Sequence, residues 1–451
     1  MKFSVLAGLG VMAGAVSAAI KPIEIKGNAF YEKGGDKRFY IRGVDYQPGG
    51  NSNDLKDPIA DSKSCKRDVK YFKELGINTV RVYSVDNSED HDECMKALAD
   101  AGIYLLLDVN TPKHSLNRAD PKPSYNAGYL QTIFATIDAF KDYDNVLGFF
   151  AANEVINSEN STKTAPYVKA VVRDMKKYIK KQAKRQIPVG YSAADISDNR
   201  WEQMQYFNCG DEEERIDMFG MNDYSWCGKS SFSQSGYEAN VKKYSDYSIP
   251  MFLSEFGCNK VTPRPFTEIE ALYDEKMTKV YSGGLVYEYS QEDNNYGLVK
   301  IKGDDVSKLD DFDTLKKQYE KVQNPSGDGG AKTDGKASSC PKYKKGTWDV
   351  DDDEEPPSTP KDAEDYFDKG AGKKLGFDAP NTQAGSTSAP KAGGGSSSSS
   401  DSDSDSSSSS SSSTSSSSDS AAGIVQVPSL SAIAVPAGLL VSSFLLGASL
   451  I

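Results

Sequence analysis

The chain has 451 residues, 37% of them hydrophobic, and a formal net charge of -12, which argues against nucleic acid as a partner because that binding needs Lys and Arg to neutralise phosphates; a neutral polysaccharide meets no such barrier. Only two histidines are present, His91 and His114, with no HExxH or CxxC spacing, so neither a metal site nor a cofactor is expected.

Lys2, an apolar run over 3–16 and the small residues Ser17, Ala18 and Ala19 have the order of a secretory leader, so residues 1–18 are set apart from the fold. Eight apolar runs follow, at 39–46, 77–83, 103–109, 146–151, 187–192, 216–221, 250–254 and 283–289. Between them lie helical patterns. One spans 65–75 and ends at Gly76, a second spans 94–101 and ends at Gly102, and Tyr167, Val168, Val171, Val172, Met175 and Ile179 mark one face of a longer helix. Glycine just past a periodic stretch supplies the left-handed cap that a helix end needs. Eight strand-helix repeats in this length predict a (β/α)8 TIM barrel over 19–343. A doubly wound sheet would instead show a glycine-rich phosphate turn after an early strand, and the sequence has none.

Past the barrel, residues 344–395 mix acidic clusters, Pro and Gly and are expected to form a linker or wrap. Residues 396–420 are a Ser/Asp tract, which cannot bury enough apolar area to offset the entropy of ordering and is expected to be a glycosylated stalk. Small residues around Ser420, a spacer and an apolar end over 421–451 have the order of a glycolipid (GPI) anchor signal, with Ser420 as the expected attachment site. The alternative, a spanning helix, would be short and has no Lys or Arg after it. The sequon Asn160-Ser161-Thr162 makes Asn160 a candidate N-glycosylation site.

Six cysteines in an exported chain favour disulfides, and sequence alone leaves fifteen pairings. In a barrel, helix starts and strand ends share one rim. Cys65 and Cys94 near the starts of the first two helices are therefore expected to pair, as are Cys227 and Cys258 after the sixth and seventh strands, leaving Cys209 to reach Cys340 and tie the C-terminal segment to the barrel.

Barrel enzymes carry their reacting groups at the C-terminal ends of the strands. The fourth run leads into Asn153 and Glu154, and the seventh into Ser254 and Glu255. Two glutamates across one barrel mouth suit retaining glycoside cleavage, which needs carboxyls about 5 to 5.5 Å apart, one ionised to attack the anomeric carbon and one protonated to assist the leaving oxygen. Asn153 is placed to bind the 2-hydroxyl of the attacked ring. Tyr287, at the end of the eighth run, is expected to donate its hydroxyl to Glu255 and keep it ionised, leaving the proton on Glu154. Tyrosine is heavily used, 25 of 451 residues, and aromatic faces stack on pyranose rings while the hydroxyl serves sugar donors. Tyr224, with the strand-end groups Gln47 and Asp108, joins the candidate substrate contacts.

The stretches Arg42-Gly43-Val44-Asp45-Tyr46-Gln47-Pro48-Gly49-Gly50, Asn78-Thr79-Val80-Arg81-Val82-Tyr83, Asn153-Glu154 and Leu253-Ser254-Glu255-Phe256-Gly257-Cys258 together resemble the fungal β-1,3-glucanosyltransferases of glycoside hydrolase family 72, over roughly 21–343. The resemblance implies Glu154 as proton donor, Glu255 as nucleophile and the same three disulfides. It implies sugar contacts at Tyr83, the stretch 110–118 with Asn110, Asn117 and Arg118, then Asn153, Asp195, Arg200 and Tyr287. It further implies a monomeric, GPI-anchored enzyme at the outer face of the plasma membrane and cell wall, with β-1,3-glucan chains as donor and acceptor. Some members append a cysteine-rich glucan-binding module; no cysteine follows Cys340, so substrate grip falls to the barrel cleft. A hydrolase of the same clan, or a non-enzymatic glucan-binding wall protein, are the competing readings.

Overall fold

The computed structural model describes residues 20–50, 55–385 and 389–393. Eight parallel strands close into a barrel in chain order: β1 (Ile41–Asp45), β2 (Thr79–Val82), β3 (Tyr104–Asp108), β4 (Val146–Asn153), β5 (Val189–Ala194), β6 (Met218–Asn222), β7 (Met251–Phe256) and β8 (Tyr281–Val286). Their helices are α1 (Ser62–Leu75), α2 (Asp92–Asp100), α3 (Ala127–Phe140), α4 (Ala165–Gln182), α5 (Arg200–Phe207), α6 (Tyr237–Lys243), α7 (Glu268–Leu272) and α8 (Asp310–Lys321). This is the expected (β/α)8 barrel. β8 closes on β1 through Gly283, where φ is 90° and a Cβ would lie 2.1 Å from the Ile41 carbonyl oxygen, so only glycine fits that seam.

Local chemistry explains the helix limits. Asp61 caps α1 by accepting from the Lys63 N–H, and Gly76 ends it with φ 72°. The buried residues Cys65, Val69, Phe72 and Leu75 recur at three- and four-residue spacing and face the barrel. On α4 the buried set includes Val168, Val171, Val172, Met175 and Ile179.

A three-stranded antiparallel sheet, Ile23–Lys26, Ala29–Glu32 and Arg38–Phe39, precedes the barrel. Phe39 pairs with Phe30 in that sheet, which is why β1 begins at Ile41 and not at 39. Ile23, Phe30, Ile41, Leu106, Leu147, Phe150, Met218, Phe252 and Leu285 form a buried inner cluster. The barrel interior is therefore a packed core, and reacting groups are confined to its C-terminal rim.

Disulfides join Cys65 to Cys94, Cys209 to Cys340 and Cys227 to Cys258. The boundary expected at 343/344 is corrected: the packed body continues through 385. Trp348, Val350, Ala363, Tyr366, Phe367 and Ala371 are buried in the main core, Phe367 lies 5.5 Å from Phe134 of α3, and a short helix, Glu364–Lys369, packs on α4. Six apolar side chains hold this acidic segment as a strap over α3, α4 and α5, a pattern too sparse to stand out among its Asp, Glu and Pro residues. The leader, stalk and anchor segments, including Ser420, lie outside the described residues. Among the described residues, no helix is long and apolar enough to cross a membrane.

Candidate active site

The end of β4 is bent to present Glu154. Asn153 is the last residue of that strand, paired with Ser192 of β5, and the Glu154 N–H donates to the Ser192 carbonyl at 2.9 Å. Glu154 has φ 48°, a left-handed conformation that costs a non-glycine residue on the order of 1 kcal/mol or more and persists only where the surroundings impose it. Its Oε1 accepts from Asn222 Nδ2 at 2.9 Å, and Asn153 Oδ1 accepts from the same nitrogen at 3.3 Å. The other end of Asn222 accepts from Ser254 Oγ at 2.7 Å and from Ser192 Oγ at 3.2 Å. Asn222 of β6 also sits in register with Glu255 of β7. One asparagine thus connects the rim at β4 to the strand that carries the second glutamate.

Glu255 is 8% exposed, and three donors converge on it. Tyr83 Oη donates to Oε1 at 2.9 Å, Tyr224 Oη to Oε2 at 2.7 Å, and Arg81 Nη1 reaches Oε1 at 3.3 Å. Burial pushes the Glu255 carboxyl up to about 7 against the pull of Arg81; the charge of Glu154 adds to the rise, and the hydrogen bonds from Tyr224 and Tyr83 oppose it. Asp108 holds Arg81 in a bidentate pair, 2.9 Å to Nε and 2.9 Å to Nη2.

The hydroxyl donor to Glu255 is corrected: Tyr83 and Tyr224 fill the part assigned to Tyr287. β8 stops at Val286, so Tyr287 begins the following loop, and its hydroxyl accepts from Asn294 Nδ2 at 3.3 Å. Its ring stands edge-on to Tyr83, Tyr224 and Tyr296, with centroids 6.5, 6.3 and 5.2 Å away. Four tyrosines thus make an aromatic wall beside Glu255.

Several candidate contacts are committed to the scaffold. The Gln47 amide is buried, donating to the Lys56 carbonyl and Ser84 Oγ and accepting from the Tyr83 and Ser84 N–H groups, so it props the strand end under Tyr83. Asn110 donates to the Ala151 carbonyl at 2.6 Å and accepts from Tyr129 Oη at 2.8 Å, tying the loop after β3 to β4. Asn117 accepts from the Ala119 N–H at 3.0 Å, and Arg118 is exposed on the same loop. Asp195 and Arg200, after β5, form a pair at 2.7 Å; burial pushes Asp195 up to about 7, with Asp223 adding to the rise and Arg200 opposing it. No hydrogen bond links that pair to either glutamate. Asn160 is exposed in the turn Glu159–Thr164. No group of three or more His, Cys, Asp or Glu side chains among the described residues is placed to hold a metal ion.

Sequence reasoning assigned no role to Arg81, Asn222, Ser254, Tyr296 or Asp45. Arg81 is two residues before Tyr83, hence on the same side of the strand end, and Asn222 is the first polar residue after the sixth run; both signals were present. Asp45, at the end of β1 in register with Arg81, is fully buried with neither carboxyl oxygen hydrogen-bonded. Burial pushes it well above the usual carboxylate range, although Arg81 pulls the other way.

The family model described as Glucanosyltransferase, of the glycoside hydrolase 72 type, matches residues 12–323. The chain belongs to this family. It is 62% identical over 376 residues to the 1,3-beta-glucanosyltransferase GAS5 of Saccharomyces cerevisiae, covering 83% of this chain and 77% of that relative. It is 59% identical over 382 residues to the 1,3-beta-glucanosyltransferase gel1 of Aspergillus fumigatus, covering 83% of each. Among solved structures, Saccharomyces cerevisiae Gas2p in complex with laminaritetraose and laminaripentaose superposes with a TM-score of 0.70 at 42% identity, covering 76% of this chain and 75% of that one. For a glucanosyltransferase-family barrel, a carboxylate that collects three donors beside one bridged to the same network can divide the labour of a nucleophile and a proton carrier.

Proposed function

We infer that the chain is a retaining β-1,3-glucanosyltransferase that cuts β-1,3-glucan and joins the new reducing end to a second glucan chain, remodelling the fungal cell wall. One observation carries the division of roles: three donors, one of them the Arg81 guanidinium, converge on Glu255, a pattern that suits its ionised form, while Glu154 accepts from a single neutral amide.

In the first half-reaction Glu154 gives its proton to the glycosidic oxygen of the leaving chain as Glu255 attacks the anomeric carbon; the glycosidic bond breaks and a glycosyl ester forms. In the second, a hydroxyl of the acceptor glucan gives its proton to the Glu154 carboxylate and attacks the same carbon, releasing Glu255. Inversion twice gives retention. Asn153 suits the 2-hydroxyl of the attacked ring. Tyr83, Tyr224, Tyr287 and Tyr296 offer faces for pyranose rings, and the Gas2p complexes with laminari-oligosaccharides support a cleft that takes β-1,3-glucan here. An acceptor held over the ester at high effective concentration outcompetes water. Arg118, Asn117, Asp195 and Arg200 are read as more distant sugar contacts.

Residues 396–420 and 421–451 are read as a stalk and an anchor signal, placing a monomeric enzyme on the outer face of the plasma membrane. Release of the cell-bound protein by a phosphatidylinositol-specific phospholipase tests the anchor.

The test of activity is product length. Purified protein given a reduced laminari-oligosaccharide is expected to yield products longer than the substrate; shorter products alone would make it a hydrolase. Glu255→Ala and Glu154→Gln are each expected to lower turnover at least about 10³-fold with the thermal transition retained, on the scale of losing an acid/base or nucleophilic group.

A further inference from the structure

The strap does more than cover α3 and α4. Its far end, beyond the last residue matched by the family model, turns onto the loops after β2 and β3. The Gly376 N–H donates to Asn87 Oδ1 at 3.0 Å and the Phe377 N–H to Asp86 Oδ2 at 3.2 Å. Lys113 Nζ reaches back to the Phe377 carbonyl at 2.8 Å. The Thr382 N–H donates to the Lys113 carbonyl at 3.1 Å, and Gln383 Nε2 donates to Ser115 Oγ at 2.7 Å and to the Pro112 carbonyl at 3.1 Å. Asn126, the cap of α3, donates to the Thr382 carbonyl at 2.9 Å.

The two loops so held are those that matter to the cleft. Asp86 and Asn87 lie three and four residues past Tyr83, which hydrogen-bonds Glu255. Lys113 and Ser115 lie between Asn110 and Arg118. Each loop has other ties, such as Asn87 to Thr132 and Thr136 of α3 and Asn110 to Ala151 of β4, and the strap adds to them; a loop left mobile must lose that freedom when a sugar chain binds.

Building on the functional reading above, we propose that residues 376–383 are a positioning clasp of the cleft, which preorders the loops after β2 and β3 and so sets how tightly the enzyme holds glucan rings beyond those at Glu154 and Glu255. The clasp touches no reacting atom. Its effect is on KM for long chains, and the kcat for the shortest reacting chain does not depend on it.

Two variants of the full chain test this. In Gly376→Ala, the new Cβ would meet Asp86 Oδ1 at 1.8 Å and Ser88 Oγ at 2.4 Å, at a residue with φ 57°, which lifts the clasp from the β2 loop. Gln383→Ala removes the two bonds that its own side chain makes to the β3 loop and alters no packed core residue. Steady-state kcat and KM are measured on reduced laminari-oligosaccharides of increasing length, alongside the thermal transition. Both variants are expected to raise KM for the longest donors about 3- to 10-fold, the loss of one or two hydrogen bonds' worth of preorganisation. KM and kcat for the shortest reacting donor are expected to stay at wild-type values, flattening the dependence on length. An unchanged length dependence in Gln383→Ala overturns the proposal, whatever happens to thermal stability. A wild-type enzyme that only shortens its substrate would refute the transferase reading, and the same KM series, followed by hydrolysis, would still decide the clasp.

Discussion

Tyr224→Phe isolates one hydrogen bond that supports the ionised form of Glu255, the proposed nucleophile. The hydroxyl it removes lies 2.7 Å from Glu255 Oε2, at a carboxyl 8% exposed. A hydrogen bond to a charged group contributes about 1.5–3 kcal/mol, and 1.36 kcal/mol is one pKa unit, so the ionised form loses about 1 to 2 units of support. The sign is fixed: burial already raises Glu255 to about 7 and Tyr224 opposes that rise, so its removal raises the carboxyl further. The proposed mechanism needs Glu255 ionised and Glu154 protonated. Well below that pKa the productive fraction falls in proportion to the ionisation constant of Glu255, about 10- to 100-fold; at high pH, where Glu255 is ionised in both proteins, the profiles converge. The assay is kcat/KM for transfer across about pH 4 to 10 in wild type, Tyr224→Phe and Tyr287→Phe. A uniform loss at every pH, or an equal shift in Tyr287→Phe, would refute the argument, because Tyr287 makes no hydrogen bond to Glu255.

Asp45→Asn replaces a buried carboxyl that has no hydrogen-bond partner by a neutral isostere. Because the folded-state value is raised, the penalty is absent below the unfolded value of about 3.9, grows as pH rises and levels off above the folded value; the variant is expected to melt higher than wild type at pH 7 and equally at pH 3.5, and equal melting at both would refute it. Trp348→Ala removes a fully buried side chain 5.3 Å from Tyr206 and is expected to cost about 3–5 kcal/mol in denaturant unfolding; a loss under 1 kcal/mol would return the strap to the status of a linker. Cys340→Ser opens a bridge between residues 131 apart and is expected to destabilise by about 4–5 kcal/mol in the chain-entropy model, against a negligible change if the reduced segment stays docked.

Much of the barrel is legible in residue order because its repeats are local. Alternating apolar runs and amphipathic helices ending at Gly76 and Gly102 each report on their own few residues, so the count of eight units and the places of Glu154 and Glu255 at strand ends could be read directly. The packing of the strap is hidden for the converse reason: Trp348 stands 18 residues before the adjacent pair Tyr366 and Phe367, too far for a periodic pattern, and only contact with Tyr206 of α5 and Phe134 of α3 reveals them as core.

Sequence alone put Glu154 and Glu255 at the ends of the fourth and seventh strands, and hence at one rim. Which hydroxyls serve those carboxyls is another matter. Tyr83, Tyr224 and Tyr287 look equivalent in a list of strand-end tyrosines, and the choice among them depends on where β8 stops and on the directions in which three separate loops leave the barrel. Those are set by packing across segments as much as 204 residues apart, from Tyr83 to Tyr287. No local pattern encodes such distances, and so the tertiary structure alone decided the charge environment of Glu255.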